Sequence, residues 1–116
     1  MENVIEDKSF QFSIRIVKLY KYLSATKGEH VLSKQFLRAG TSIGANVAEA
    51  QQAQSKADFI SKIVIALKET TESKYWIRLL RATDYLSETE YQSILSDCTE
   101  LEKNLTSIMK TIKSTP

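Results

Sequence analysis

Almost nothing in this chain can break a helix. Its single proline, Pro116, stands at the last position, and only three glycines occur among 116 residues. With one cysteine, Cys98, no intrachain disulfide can form, which points to a reducing compartment. The run Met1-Glu2-Asn3-Val4-Ile5-Glu6-Asp7 is acidic where a secretory signal is basic. No apolar stretch approaches the roughly 18 residues that a membrane span requires, so a cytoplasmic protein with no membrane contact is expected. An excess of two positive charges is too slight to announce a nucleic-acid binder, although it permits a local basic patch. The one histidine, His30, and Cys98 lack companions at metal-ligand spacing. Phosphate-binding loops, H-E-x-x-H and G-x-S-x-G are also missing. The sequence therefore predicts no metal, no cofactor and no enzyme.

What is present is helical periodicity. Hydrophobic residues make up 42% and charged residues 26% of the chain, as in a folded globular protein. The length fits one domain, 1–116, that buries roughly two-thirds of its unfolded surface. Four helices are predicted, over about 8–25, 33–52, 55–82 and 88–113. In the first, Phe10, Phe12, Ile14, Ile16, Val17, Leu19, Tyr20 and Leu23 cover more of the circumference than one bundle interior needs. Gly28 suits a C′ position after it, and Ser33 an N-cap before the second helix. Ser55 with Asp58, and Ser87 with Glu90, have capping-box spacing. In the fourth helix Tyr91, Ile94, Cys98, Leu101, Leu105, Ile108 and Ile112 form a narrow heptad seam. Cys98 reads as a small core residue there, because nothing nearby would activate its thiol. Short connections then give an all-α, up-down-up-down four-helix bundle.

The second helix is the unusual one. Gly40, Gly44 and Ala48 recur every four residues and form a smooth ridge for a closely approaching helix. Interior glycine costs roughly 1 kcal/mol against alanine, so close packing is the expected compensation. Arg38, Ser42, Asn46 and Glu49 share another side. An antiparallel register with the third helix sets Arg38 near Glu69 or Glu72, and Glu49 near Asp58 or Lys62. Ser42 and Asn46 are expected to hydrogen-bond between helices, and a polar ligand pocket is the alternative. The third helix reads as changing its apolar side midway, with Lys74, Arg78 and Arg81 as a basic stripe beside Tyr75 and Trp76. That stripe either meets phosphates or is a solvated face.

The run Gln35-Phe36-Leu37-Arg38-Ala39-Gly40-Thr41-Ser42-Ile43-Gly44-Ala45-Asn46-Val47-Ala48-Glu49-Ala50 resembles the pattern Q-x-x-R-A-x-x-S-I-x-x-N-[IV]-A-E-G. Asp58-Phe59-Ile60, Ala66-Leu67-Lys68-Glu69, Glu72 and Tyr75-Trp76 extend the likeness. The pattern is that of four-helix bundle proteins encoded by intervening sequences of bacterial large-subunit rRNA genes, often labelled ribosomal. Ala50 stands where that family usually has glycine, and no proline precedes the second helix. The resemblance implies a bacterial homo-oligomer, a five-fold ring or barrel. It also implies kinship with the accessory variability protein of diversity-generating retroelements, which works with a reverse transcriptase and nucleic acid. Arg38, Ser42, Asn46 and Glu49 carry over as architectural positions, together with Glu69 and Glu72.

Two functions compete, ahead of a third in which carboxylates between the second and third helices serve an enzyme. One is a non-enzymatic oligomer that binds RNA or a nucleic-acid-processing protein through Lys74, Arg78 and Arg81, joined by Arg15 and Lys18. The other is a protein-binding scaffold without a nucleic-acid role. In either case Phe10, Phe12, Tyr75 and Trp76 are the expected interface between subunits.

Overall fold

The computed structural model describes residues 3–114, so the two residues at each end of the expected domain lie outside the described residues. Four helices follow one another: α1 (Val4–Ala25), α2 (Leu32–Ala50), α3 (Lys56–Ala82) and α4 (Glu88–Ser114). They occupy the corners of a bundle in which α1 packs on α2 and α4, and α3 packs on the same two. Thus α1 and α3 are diagonal to each other.

The helix ends show how local sequence sets the boundaries. The first helix begins four residues earlier than periodicity predicts, because Asn3 caps it and accepts the Glu6 N–H at 3.1 Å. Asn3 also donates to Gln51 Oε1 at 2.6 Å, tying the start of α1 to the end of α2. Gly28, at φ +68°, lies one position beyond the expected C′ site and turns the chain so that Glu29 N–H reaches Leu23 O at 2.9 Å. Ser33 is not the N-cap of α2. Its side chain is buried inside the helix and donates to Glu29 O at 2.7 Å. The capping acceptor is the Glu29 carboxylate, which receives the N–H groups of Val31 and Leu32 at 3.1 Å and of Ser33 at 2.6 Å. Burial works to raise its pKa, but these bonds to the ionised form outweigh it and hold the group below the usual carboxylate range.

Before α3, Ser55 accepts the Asp58 N–H at 3.0 Å, while Asp58 accepts from Gln54. Before α4, Ser87 and Glu90 exchange both bonds of a capping box, at 2.8 and 3.1 Å. Between these, α3 ends in a Schellman turn. Tyr85 N–H bonds Leu80 O at 2.9 Å and Asp84 N–H bonds Arg81 O at 3.1 Å, with Asp84 at φ 69° where glycine is customary.

Each helix contributes a seam spaced by threes and fours, the pattern that packs bundles at shallow angles. Ile5, Ser9, Phe12, Ile16 and Leu23 serve α1, and Phe36, Ile43, Val47 and Ala50 serve α2. Ile94, Cys98, Leu101, Leu105 and Met109 serve α4. The third helix does not switch faces. Ile63, Ala66, Thr70, Ser73, Ile77 and Leu80 form one continuous buried seam. Its two central residues are polar, so counting apolar residues alone broke a line that small volume and helical phase preserve.

Two of the three ridge residues on α2 meet α1 closely. A Cβ on Gly40 would stand 2.9 Å from Ile16 Cγ1, and one on Gly44 would stand 3.1 Å from the Ser9 carbonyl oxygen. Ser9 and Ser13 satisfy their own hydroxyls on Glu6 O and Ser9 O, so small polar residues sit at this crossing without orphaned groups. Ala48 is exposed and takes no part.

Candidate functional site

The α2–α3 register brings together the motif residues of the second and third helices. Arg38 Nη1 donates to Glu69 Oε2 at 3.1 Å, and its Nη2 bonds Glu72 Oε2. Glu72 Oε2 also accepts from Trp76 Nε1 at 2.9 Å. That indole bond, with burial opposing it and Arg38 assisting, keeps the Glu72 carboxyl below its ordinary pKa. The Glu72 bond in turn raises Arg38. Glu49 pairs with Lys62 at 3.1 Å. Ser42 and Asn46 do not bridge helices. Ser42 Oγ donates to Arg38 O and Asn46 Nδ2 to Ser42 O, each four residues back in α2. A short hydroxyl or amide in a helix reaches its own preceding turn more easily than a neighbouring axis. The cluster is thus a partly exposed ion-pair network, without two acids left free to exchange protons with a substrate.

Cys98 lies at zero exposure against Thr70 O, and burial pushes its thiol up to about 12. Its thiolate, the nucleophilic form, is therefore negligible near neutral pH. No group of three or more His, Cys, Asp or Glu is placed to hold a metal ion among the described residues. Likewise, no helix among them is long and apolar enough to cross a membrane.

The five expected phosphate contacts are scattered and mostly neutralised. Lys74 pairs with Glu102 at 2.9 Å, Arg81 with Glu88 at 3.3 Å, and Arg15 with Asp97 at 2.7 Å. Arg78 and Lys18 are exposed and make no ion pair among the described residues. Composition could not show this pairing, because it depends on the phase of α4. The same phase creates a cationic groove that periodicity missed. Lys68 on α3 faces Lys103 and Lys110 on α4 across an open cleft of about 630 Å³. Lys103 and Lys110 lie seven apart on one helical stripe, the one signal visible in the sequence.

The four expected interface residues separate. Phe12 is 3% exposed, within the core, and Trp76 is half-buried against it. Neither is available to a partner as an open surface. Phe10 and Tyr75 are exposed at 61% and 53%, but on diagonal helices, so they do not form one patch. Phe10 instead continues along α1 with Ile14 and Val17, at i, i+4 and i+7, both partly open.

Comparison with known proteins agrees with this architecture. The model of a family described as 23S rRNA-intervening sequence protein matches residues 1–107. A crystal structure from Bacteroides thetaiotaomicron VPI-5482, described as a protein with unknown function from the S23 ribosomal protein family, is 56% identical. It aligns over 91% of this chain and 98% of its own, with a TM-score of 0.90. Among curated proteins, none matches.

Proposed function

The chain belongs to the 23S rRNA-intervening sequence protein family, and from that premise we propose a non-enzymatic, cytoplasmic bundle whose copies associate through the outer face of α1. The observation that carries the reading is the apolar row Phe10, Ile14 and Val17, which faces away from the bundle seam and stays open in the single chain. Three large apolar side chains in register are costly to leave in water, at roughly 25 cal/mol per Å², and such rows mark interaction sites. The resemblance to ring-forming bundles makes five copies the favoured number, and a closed ring leaves no unpartnered edge. The buried, protonated Cys98 and the occupied acids Glu69 and Glu72 support a binding role over catalysis.

Sedimentation equilibrium of the full chain at micromolar concentration tests this. A mass near five times the 13.2 kDa chain is expected, and Phe10→Asp with Ile14→Asp should reduce it to the monomer with an unchanged helical circular dichroism signal. A monomeric wild-type mass overturns self-association. A dimer retains the interface and overturns the ring.

A further inference from the structure

The groove between α3 and α4 carries positive charge that no ion pair among the described residues balances. Lys68, Lys103 and Lys110 line it and make no ion pair among the described residues. The one acid in the same cleft, Glu102, is already held by Lys74 at 2.9 Å. Thr71, Thr106 and Ser107 add hydroxyls to the lining, and Val64 and Leu67 add apolar surface. The arrangement is elongated. Lys103 and Lys110 are seven residues apart, about 10 Å of helix rise, too far for one compact anion to meet both amines closely.

The α3 bank continues in the same phase. Lys68, Thr71, Tyr75 and Arg78 follow at i, i+3, i+7 and i+10, so one row runs from cation to hydroxyl to aromatic to cation. Tyr75 and Arg78 line a second cleft, between the same two helices, with Tyr91. Tyr75 keeps 53% of its surface open, yet its ring is placed. It stands edge-on to Trp76 with centroids 5.0 Å apart, and Trp76 is itself anchored on Glu72. A fixed, exposed ring beside spaced cations suits a strand that presents a phosphate and a flat base alternately. An acidic peptide would use the charges but has no need of the ring.

We propose that the α3–α4 groove binds single-stranded nucleic acid, with phosphates on Lys68, Lys103, Lys110 and Arg78 and a base stacked on Tyr75. The site uses residues of one chain and does not rest on the association proposed through α1. Fluorescence anisotropy of a labelled twelve-nucleotide oligouridylate with the full chain, between 50 and 200 mM salt, gives the test. Three or four neutralised phosphates predict a log–log salt slope of about −2 to −3. Replacing Lys68, Lys103 and Lys110 together by alanine should flatten that slope by about two. Tyr75→Ala should weaken binding roughly 5- to 150-fold while leaving the slope unchanged. Alanine at Lys21, Lys27 and Lys34, a charge-matched change on α1, α2 and the turn between them, should leave groove binding intact. The proposal is overturned by absence of binding at 50 mM salt, by equal loss in the charge-matched variant, or by Tyr75→Ala binding as wild type. It is overturned as well if polyglutamate of equal charge displaces the oligonucleotide as readily as unlabelled oligouridylate.

Discussion

The two helical hairpins of this bundle solve the same packing problem in different ways. Between α1 and α2 the backbones themselves approach, with Gly40 under Ile16 and Gly44 under the Ser9 carbonyl. Between α3 and α4 the shared core is filled by the small side chains of Thr70, Ser73 and Cys98, with Cys98 Sγ 3.5 Å from the Thr70 carbonyl oxygen, and a cleft opens outside it. The first joint has no room for one more carbon, whereas the second has room for a ligand. Close backbone contact and an open cleft thus fall in opposite halves of the bundle.

Adding volume to each half should separate them most sharply. Gly40→Leu forces a branched side chain against Ile16, which is itself fully buried. Overpacking of this kind costs about 3 kcal/mol, and removing an interior glycine returns about 0.8. The expected net loss is about 2 kcal/mol by urea unfolding. Ser107→Leu, an enlargement on the exposed α4 bank, should stay within about 0.5 kcal/mol. Equal losses at both positions would erase the distinction between a closed and an open hairpin.

Much of this architecture was legible in the sequence, and the misses share a cause. The helices at Ser55 and Ser87 start where their capping boxes place them, and the spacing of Gly40 and Gly44 announced a close neighbour. Arg38 could be set opposite Glu69 and Glu72 because a short α2–α3 connection fixes the register. Periodicity failed where a polar residue occupied a core phase, as at Ser9, Thr70 and Ser73, or where an acid served as a cap from a loop, as Glu29 does. It failed again for the cationic groove, since Lys68 meets Lys103 and Lys110 only through the relative rotation of two helices. Phe12 and Phe10 differ by two residues and about 200° of helix phase, which sends one to the core and one to solvent.

The connections differ as the joints do. The α1–α2 turn is secured by Glu29, and Glu29→Ala should cost about 1.5 kcal/mol at pH 7, as loss of a strong helix cap does. The pH dependence has a definite sign. The folded pKa lies below the unfolded one, so the stabilisation is present above the unfolded value and is lost as pH falls through the folded value. Denaturation of wild type and variant between pH 7 and pH 3 should therefore show the gap narrowing with acid. A gap that widens on acidification would exclude the ionised carboxylate as the capping group.

Within the α3–α4 half, Ser73 places an unpaired polar group in the core. Its hydroxyl is buried and has no hydrogen-bond partner among the described residues, so it bears a desolvation cost without return. Ser73→Ala should stabilise the chain by about 1 kcal/mol, a gain measurable as a higher urea midpoint at unchanged m-value. The matched change Ser9→Ala on α1 removes a hydroxyl that is bonded to Glu6 O, and should not stabilise. A gain at Ser9 equal to that at Ser73 would show that helix propensity, and not the orphaned hydroxyl, is responsible.

The smallest effect is expected at the turn into α4. Asp84 holds a left-handed backbone, φ 69°, at the position where a Schellman turn accepts glycine without penalty. Both hydrogen bonds of the motif are already formed, from Tyr85 to Leu80 and from Asp84 to Arg81, so a substitution there changes strain and leaves the bonding as it is. Asp tolerates this region better than most side chains, which limits the available gain. Glycine also enlarges the conformational freedom of the unfolded chain, and this opposes the relief of strain. The balance for Asp84→Gly is a stabilisation of about 0.7 kcal/mol. Gly28→Asp supplies the reverse experiment, because Gly28 has φ +68° and nothing lies within 4 Å of where a Cβ would stand. With no neighbour to clash, that substitution reports conformational strain alone and should destabilise by a similar amount. If thermal or urea unfolding finds the two changes equal in size and opposite in sign, the hairpin turns share one backbone requirement. A loss at Asp84→Gly would instead assign the aspartate a stabilising role of its own at the α3–α4 turn.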